Sequence, residues 1–142
     1  AYRVLKPGGI YGFSTWVGPN ESPGFSLVTN TIKEGLDPTV KIPSAPDSFL
    51  LSDPSAAIEM LDDAGFEDVE YITYPSVIRC RPDEFVPFLK KATVRATMMM
   101  LAQPNDTRLR IEARLREKVT EFIQDGVVVL PIPSRLYFAR KS

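Results

Sequence analysis

The sequence predicts an α/β fold, on three observations. Extended segments rich in β-branched or aromatic residues occur at Ile10–Trp16, Asp68–Tyr74 and Arg135–Arg140, next to Pro or Gly breakers. Between them the apolar residues recur with helical period, at about 24–34, 54–64 and 82–125. The chain has 142 residues, 44% apolar and 25% charged, which suits one domain with one core.

The elements follow in order. Val4 and Leu5, then Lys6, Pro7, Gly8 and Gly9, read as a helix end and a tight turn, because a Gly pair permits positive φ. The run Ile10, Tyr11, Gly12, Phe13, Ser14, Thr15, Trp16 reads as a strand. Pro23 suits the first turn of a helix reaching about Lys33, with Phe25, Val28, Thr29 and Ile32 on one face and Gly35 at its end. Leu36 to Ser48 contains Pro38, Pro43 and Pro46 and is an irregular connection, long enough for a lid or binding loop. Ser52, Asp53 and Pro54 open a helix whose apolar face is Ala57, Ile58, Leu61 and Ala64, and Gly65 caps it. A strand follows to Tyr74, where Pro75 interrupts. Arg81 or Asp83 opens a helix to about Leu101, in which Pro87 is tolerable only within the first turn. Pro104 to Asp106 starts the last helix, with Ile111, Leu115, Val119, Phe122 and Ile123 on its face and Gly126 closing it. Val127–Ile132 and Arg135–Ala139 are extended, with a kink or bulge at Pro131 and Pro133.

Composition narrows the function. A formal charge of −1 supplies no basic field for nucleic acid. Arg108, Arg110, Arg114, Arg116 and Lys118 interleave with Glu112, Glu117 and Glu121, which reads as a solvated helix face. No apolar run reaches membrane-spanning length and no signal peptide is visible, so no membrane partner is expected. The single Cys80 excludes an internal disulfide, and a cytoplasmic location is the expectation. With no His in the chain, a Ser-His-Asp triad and a His-containing metal site are impossible within it. The opening at Ala1 reads as a helix entered part-way.

Four pieces carry a family resemblance. They are Arg3-Val4-Leu5-Lys6-Pro7-Gly8-Gly9 with its following strand, the segment Ile58 to Asp68, the helical stretch Pro82 to Asp125, and the ending Leu136 to Lys141. In this order they resemble the C-terminal half of class I S-adenosylmethionine-dependent methyltransferases of the ubiquinone- and menaquinone-biosynthesis type. The resemblance implies a partial Rossmann-like fold over residues 1–142: a small mixed sheet built from the fifth to seventh strands, with an antiparallel last strand inserted between the other two, and cap helices at about 24–34 and 82–125. The family's glycine-rich cofactor loop and its acidic ribose-binding residue have no counterpart here. The chain alone is therefore expected to bind no S-adenosylmethionine, which the intact family fold uses.

In open α/β sheets ligands sit beyond the carboxyl ends of the parallel strands. That rule makes Ser14, Thr15 and Trp16 candidates for substrate binding. Phe25, Thr29 and Asn30 would face the same crevice, although a plain amphipathic helix also explains Phe25. Met98, Met99 and Met100 cannot all face one way on a helix, so one of them, Met99 or a neighbour, would line an adaptable apolar pocket and the others join the core. Arg79 and Arg81 could meet an anionic substrate group, but surface arginines are commoner. Cys80 has no His partner for nucleophilic use, and Asp62 and Asp63 read as a solvated helix end. No metal site is expected.

Two functions are carried forward. The first is the substrate-binding portion of a small-molecule methyltransferase that lacks its cofactor-binding half. The second is a methyltransferase-like protein that acts without cofactor, as a cyclase, isomerase or small-molecule binder. Ile10–Trp16 has no Lys or Glu to discourage strand pairing, so a homodimer or a complementary N-terminal fragment is expected against its edge.

Overall fold

The computed structural model describes residues 1–142. In chain order its strands are β1 Ile10–Trp16, β2 Glu67–Tyr74, β3 Val77–Cys80, β4 Ile123–Gln124, β5 Val127–Pro131 and β6 Ser134–Arg140. Its α-helices are α1 Pro23–Gly35, α2 Pro54–Asp63, α3 Phe85–Ala92, α4 Val94–Leu101 and α5 Asn105–Lys118. The residues form two compact units: Ala1–Gly18, Ala45–Ser76 and Ile132–Ser142 make unit 1, and Pro19–Ser44 and Val77–Pro131 make unit 2.

Unit 1 is a three-stranded sheet in the order β1-β6-β2, with β6 antiparallel to both neighbours. The expected insertion of the last strand is therefore present. One sheet face packs on α2, where Ala57, Leu61, Phe66, Tyr137 and Ala139 are buried with Tyr11, Phe13 and Val69 against them. Asp53 starts α2 by accepting the Ser55 amide at 2.9 Å, with Pro54 in the first position. Gly65 ends it in the left-handed region at φ +88.

The Lys6–Gly9 segment closes as a β-turn, with the Gly9 amide donating to the Lys6 carbonyl at 2.9 Å and Gly8 at φ +77. The chain's last residues fasten this turn. Gly8 N–H donates to the Lys141 carbonyl at 2.7 Å, and Lys141 N–H donates to the Gly9 carbonyl at 2.9 Å. The Lys141 ammonium donates to the carbonyls of Tyr2 and Leu5 at 3.0 and 2.9 Å, satisfying the end of the short 3₁₀ turn Tyr2–Val4. Two of the segments that carry the family resemblance, at residues 3–9 and 136–141, thus hold one another.

Unit 2 packs α1, α3, α4 and α5 with a second small sheet in the order β3-β5-β4. Its core includes Ile32, Phe85, Val86, Met100, Ile111, Leu115, Val128 and Leu130. Gly35 is placed for contact: a Cβ there would meet Ile111 Cγ1 at 2.5 Å. Its smallness lets α1 and α5 approach, and it serves as the last residue of α1, not as a left-handed cap.

Three expectations for this half are corrected. The helix expected to run to Leu101 breaks at Thr93, which is extended (φ −126, ψ 115) and whose hydroxyl donates to the Leu89 carbonyl at 2.8 Å. Pro87 is accommodated because α3 begins only at Phe85. The last helix stops at Lys118, not Gly126. A 3₁₀ turn Val119–Phe122 follows, then a β4–β5 hairpin with Asp125 (φ 50) and Gly126 (φ 78) at its tip. Two central residues at positive φ are what a two-residue hairpin twisted like its strands demands. Finally, Pro131 and Pro133 do not kink one continuous ribbon: β5 belongs to the second sheet and β6 to the first. Strand β3, paired to β5 from Val77↔Pro131 to Cys80↔Val128, has no counterpart in the sequence reading.

Candidate functional site

Because β6 runs antiparallel to both β1 and β2, the carboxyl ends of β1 and β2 lie at one end of the sheet of unit 1. The row there is Trp16, Ser134 and Tyr74, since Ser134 is the register partner of both aromatics. Directly paired residues point to one face, so all three side chains share a face, the one opposite α2. Trp16 is 47% and Tyr74 59% exposed. Their strands are separated by β6, which places the two backbones about 10 Å apart. Ser76 joins the group, with its Oγ 3.3 Å from Ser134 Oγ. The row is held by Val17 N–H donating to the Pro133 carbonyl at 3.0 Å and by Ile132 N–H donating to the Ser76 carbonyl at 2.9 Å.

The next row on the same face is Ser14, Leu136 and Ile72. The assembled patch offers two aromatic rings, an aliphatic floor and a few hydroxyls. Such a surface can seat a flat, largely apolar group and orient it by a hydroxyl or carbonyl. Neither row contains a carboxylate, an amine or an imidazole, so the patch supplies contact and orientation, not a general base. No group of three or more His, Cys, Asp or Glu is arranged to hold a metal ion.

The candidates from sequence fall as follows. Ser14 and Trp16 lie on this exposed face. Thr15 alternates to the α2 side, and its hydroxyl is 3.5 Å from the Trp16 carbonyl. In unit 2, Phe25 and Thr29 stand one turn apart on α1, both half-buried. The Phe25 amide donates to the Ser22 hydroxyl at 3.4 Å, which caps α1. Asn30 is exposed and donates to Ser26 Oγ at 3.2 Å. The methionines diverge as helix geometry requires: Met100 is buried in the unit 2 core, Met99 half-buried against it and Met98 exposed. Arg81 is taken up by Asp83 and Glu84 at 3.1 and 3.4 Å, while Arg79 is exposed on β3. Asp62 and Asp63 are exposed at the end of α2.

Tyr74, Ser134 and Ser76 are the neighbours that the sequence reading passed over. Tyr74 had a signal: it ends the second strand at its carboxyl terminus, as Trp16 ends the first. Ser134 and Ser76 become neighbours only through the strand order.

Elsewhere in unit 2 the charged face of α5 is not wholly solvated. Glu112 is buried and paired with Lys90 at 2.9 Å and Arg116 at 3.4 Å. Burial pushes its carboxyl pKa up, but the hydrogen bond and charge of Lys90, with Arg116, outweigh that and hold it below the ordinary value. The interleaved acids read from sequence as solvated therefore include one buried carboxylate, whose pair with the half-exposed Lys90 links α5 to α3. Burial, with Glu84 and Asp83 nearby, pushes the Cys80 thiol pKa up from its ordinary value.

The glycines at the head of β1 do not form a phosphate cradle. Both amides are spent inside the fold, on the Lys141 and Lys6 carbonyls. A cradle needs such groups pointing at a ligand. Neither glycine amide is therefore available to an anionic ligand.

No protein-family model matches the chain, and no curated protein matches it. Among solved structures it is similar to a protein of Bacillus halodurans C-125 described as a "putative methyltransferase", at 21% identity over 99% of this chain with a TM-score of 0.40. The chain spans 55% of that protein's length. No helix is long and apolar enough to cross a membrane.

Proposed function

We propose that this chain forms the acceptor-binding side of a small-molecule methyl transfer that uses S-adenosylmethionine. The observation that carries the reading is the chain-terminal strand β6 lying antiparallel between β1 and β2. The family resemblance implies the same arrangement, a last strand inserted antiparallel between two earlier ones. A second support is chemical. Methyl transfer from a sulfonium is an in-line displacement that needs an oriented acceptor and an apolar, water-poor surface more than it needs acid–base groups. The Trp16, Ser134 and Tyr74 patch offers apolar contact and hydroxyls for orientation without acid–base groups.

On this reading the chain's own residues orient the acceptor: Trp16 and Tyr74 hold a flat group, and Ser134 and Ser76 fix a hydroxyl or carbonyl. The S-adenosylmethionine contacts are not made by these 142 residues. Two titrations test it. Flat phenolic acceptors should quench or shift the fluorescence of Trp16, the one Trp of the chain. Tyr74→Ala should weaken that binding about tenfold, the value of one lost aromatic contact of ~1.4 kcal/mol. Micromolar calorimetric binding of S-adenosylmethionine to the chain would contradict the assignment of the cofactor elsewhere. Binding of apolar acceptors with turnover and no methyl donor would favour the cofactor-free cyclase or isomerase instead.

A further inference from the structure

The two sheets have four edges, and they are not alike. The outer edge of β2 is disrupted by a register shift between Glu67 and Glu70, has Asp68 at φ +52 and carries three acids. Bulges and charges of this kind are how an edge is closed to further pairing. β3 has four residues and β4 two, too short to offer much. β1 is the exception. Its seven residues contain no charge and no Pro, and its ladder with β6 is unbroken from Ile10↔Arg140 to Trp16↔Ser134.

The bonds at both ends of that ladder fix which groups face outward. Lys141 N–H donates to the Gly9 carbonyl and Val17 N–H to the Pro133 carbonyl, so the odd-numbered residues of β1 face β6. The amides and carbonyls of Ile10, Gly12 and Ser14 therefore point away from the sheet, where no strand lies beside them.

We propose that β1 pairs with β1 of a second copy of this chain, antiparallel, about a two-fold axis at Phe13. The test below reads association alone, so its failure leaves the methyl-transfer reading untouched. The sequence is self-complementary in that register. Gly12 comes opposite Ser14, small against small, at a hydrogen-bonded position where the outward groups of both find partners. Ile10 comes opposite Trp16, aliphatic against aromatic, a favourable cross-strand pair. Phe13 meets its own copy at the centre, a non-hydrogen-bonded position where side chains approach most closely. It is the one two-fold register that pairs all seven residues, since centring on Gly12 or Ser14 leaves an end overhanging. With no charge in the strand, no like charges are brought together. The axis is normal to the sheet, so the result is one continuous six-stranded sheet with isologous contacts.

Light scattering over a dilution series of the 142-residue chain, with residue-resolved amide exchange, tests this. The expected result is a particle of twice the 15.9 kDa chain mass that dissociates on dilution. The Gly12 and Ser14 amides should become protected as the dimer forms, while those of Tyr11, Phe13 and Thr15 stay protected throughout. Ser14→Pro removes an outward amide that β6 does not use, and should raise the dissociation constant at least tenfold. Ser14→Lys, which puts two like charges beside the axis and leaves the backbone intact, should do the same with the circular dichroism unchanged. A monomer at millimolar concentration overturns the proposal. So does a dimer whose Ser14 amide exchanges freely and whose affinity neither substitution alters.

Discussion

Replacing Tyr137 by Ala should come close to unfolding unit 1. Tyr137 is fully buried on the central strand β6, its ring 4.9 Å from Phe13 in a stacked pair and 5.6 Å from Tyr71. Truncating a buried aromatic costs about 3–5 kcal/mol through lost burial and an unfilled cavity. Area gives a similar answer: a buried Tyr removes roughly 200 Å² from water, worth ~5 kcal/mol. A unit of roughly 60 residues has only about 3–9 kcal/mol to lose. The assay is urea unfolding followed by fluorescence of Trp16, which lies in unit 1 and is the sole Trp. With a slope of about 1.5 kcal/mol/M, the midpoint should fall by ~2–3 M or the transition should vanish. Tyr137→Phe keeps the ring and should cost about 1 kcal/mol. If the two substitutions shift the midpoint equally, the ring is not what holds this core and the reasoning is wrong.

Other perturbations have equally specific outcomes. Gly35→Ala should cost about 1–3 kcal/mol by overpacking against Ile111, read as a lower thermal midpoint of the helical circular dichroism signal. Because the folded pKa of Glu112 lies below its ordinary value of 4.5, its stabilisation is present above that value and is lost as pH falls through the lower folded value. An acid titration of stability should show that loss in the native chain and a flatter profile in Glu112→Gln. Cys80, with its thiol pushed up, should alkylate more slowly with iodoacetamide at pH 8 than a free cysteine does, and equal rates would show that its surroundings are not as described. Asp53→Ala removes the cap of α2 and should cost about 0.5–2 kcal/mol in the same urea assay as Tyr137.

Much of unit 1 was legible because its signals are local. β1 was bounded by a Gly pair on one side and a polar loop on the other, and its observed limits are the expected ones. The start of α2 was written in Asp53 and Pro54. Unit 2 was less legible where local signals conflicted. A continuous helical period runs through Thr93, and the break lies in its extended backbone (φ −126, ψ 115), which periodicity does not report. Asp125 and Gly126, followed by Val127, Val128 and Val129, are a strong hairpin signal that was overridden by reading Gly126 as a helix cap. β3 is four residues long, and its extended state is fixed by pairing with β5, which no window around Val77 contains. Glu112 looked solvated because its partner Lys90 is 22 residues away. The candidate site was half visible for the same reason. Trp16 follows from a rule about strand ends, but Ser134 and Tyr74 join it only once β6 is placed between β1 and β2.

That placement is the claim on which the rest depends, and cross-strand Hα contacts in solution test it directly. In antiparallel pairing, residues opposite at non-hydrogen-bonded positions bring their Cα atoms to ~4.5 Å, close enough for strong Hα–Hα nuclear Overhauser effects. The account predicts such contacts between Gly12 and Phe138 and between Ser14 and Leu136 on one side of β6, and between Tyr71 and Tyr137 and between Thr73 and Arg135 on the other. Contacts running directly between Ile10–Trp16 and Glu67–Tyr74, with none from β6 to both, would contradict it.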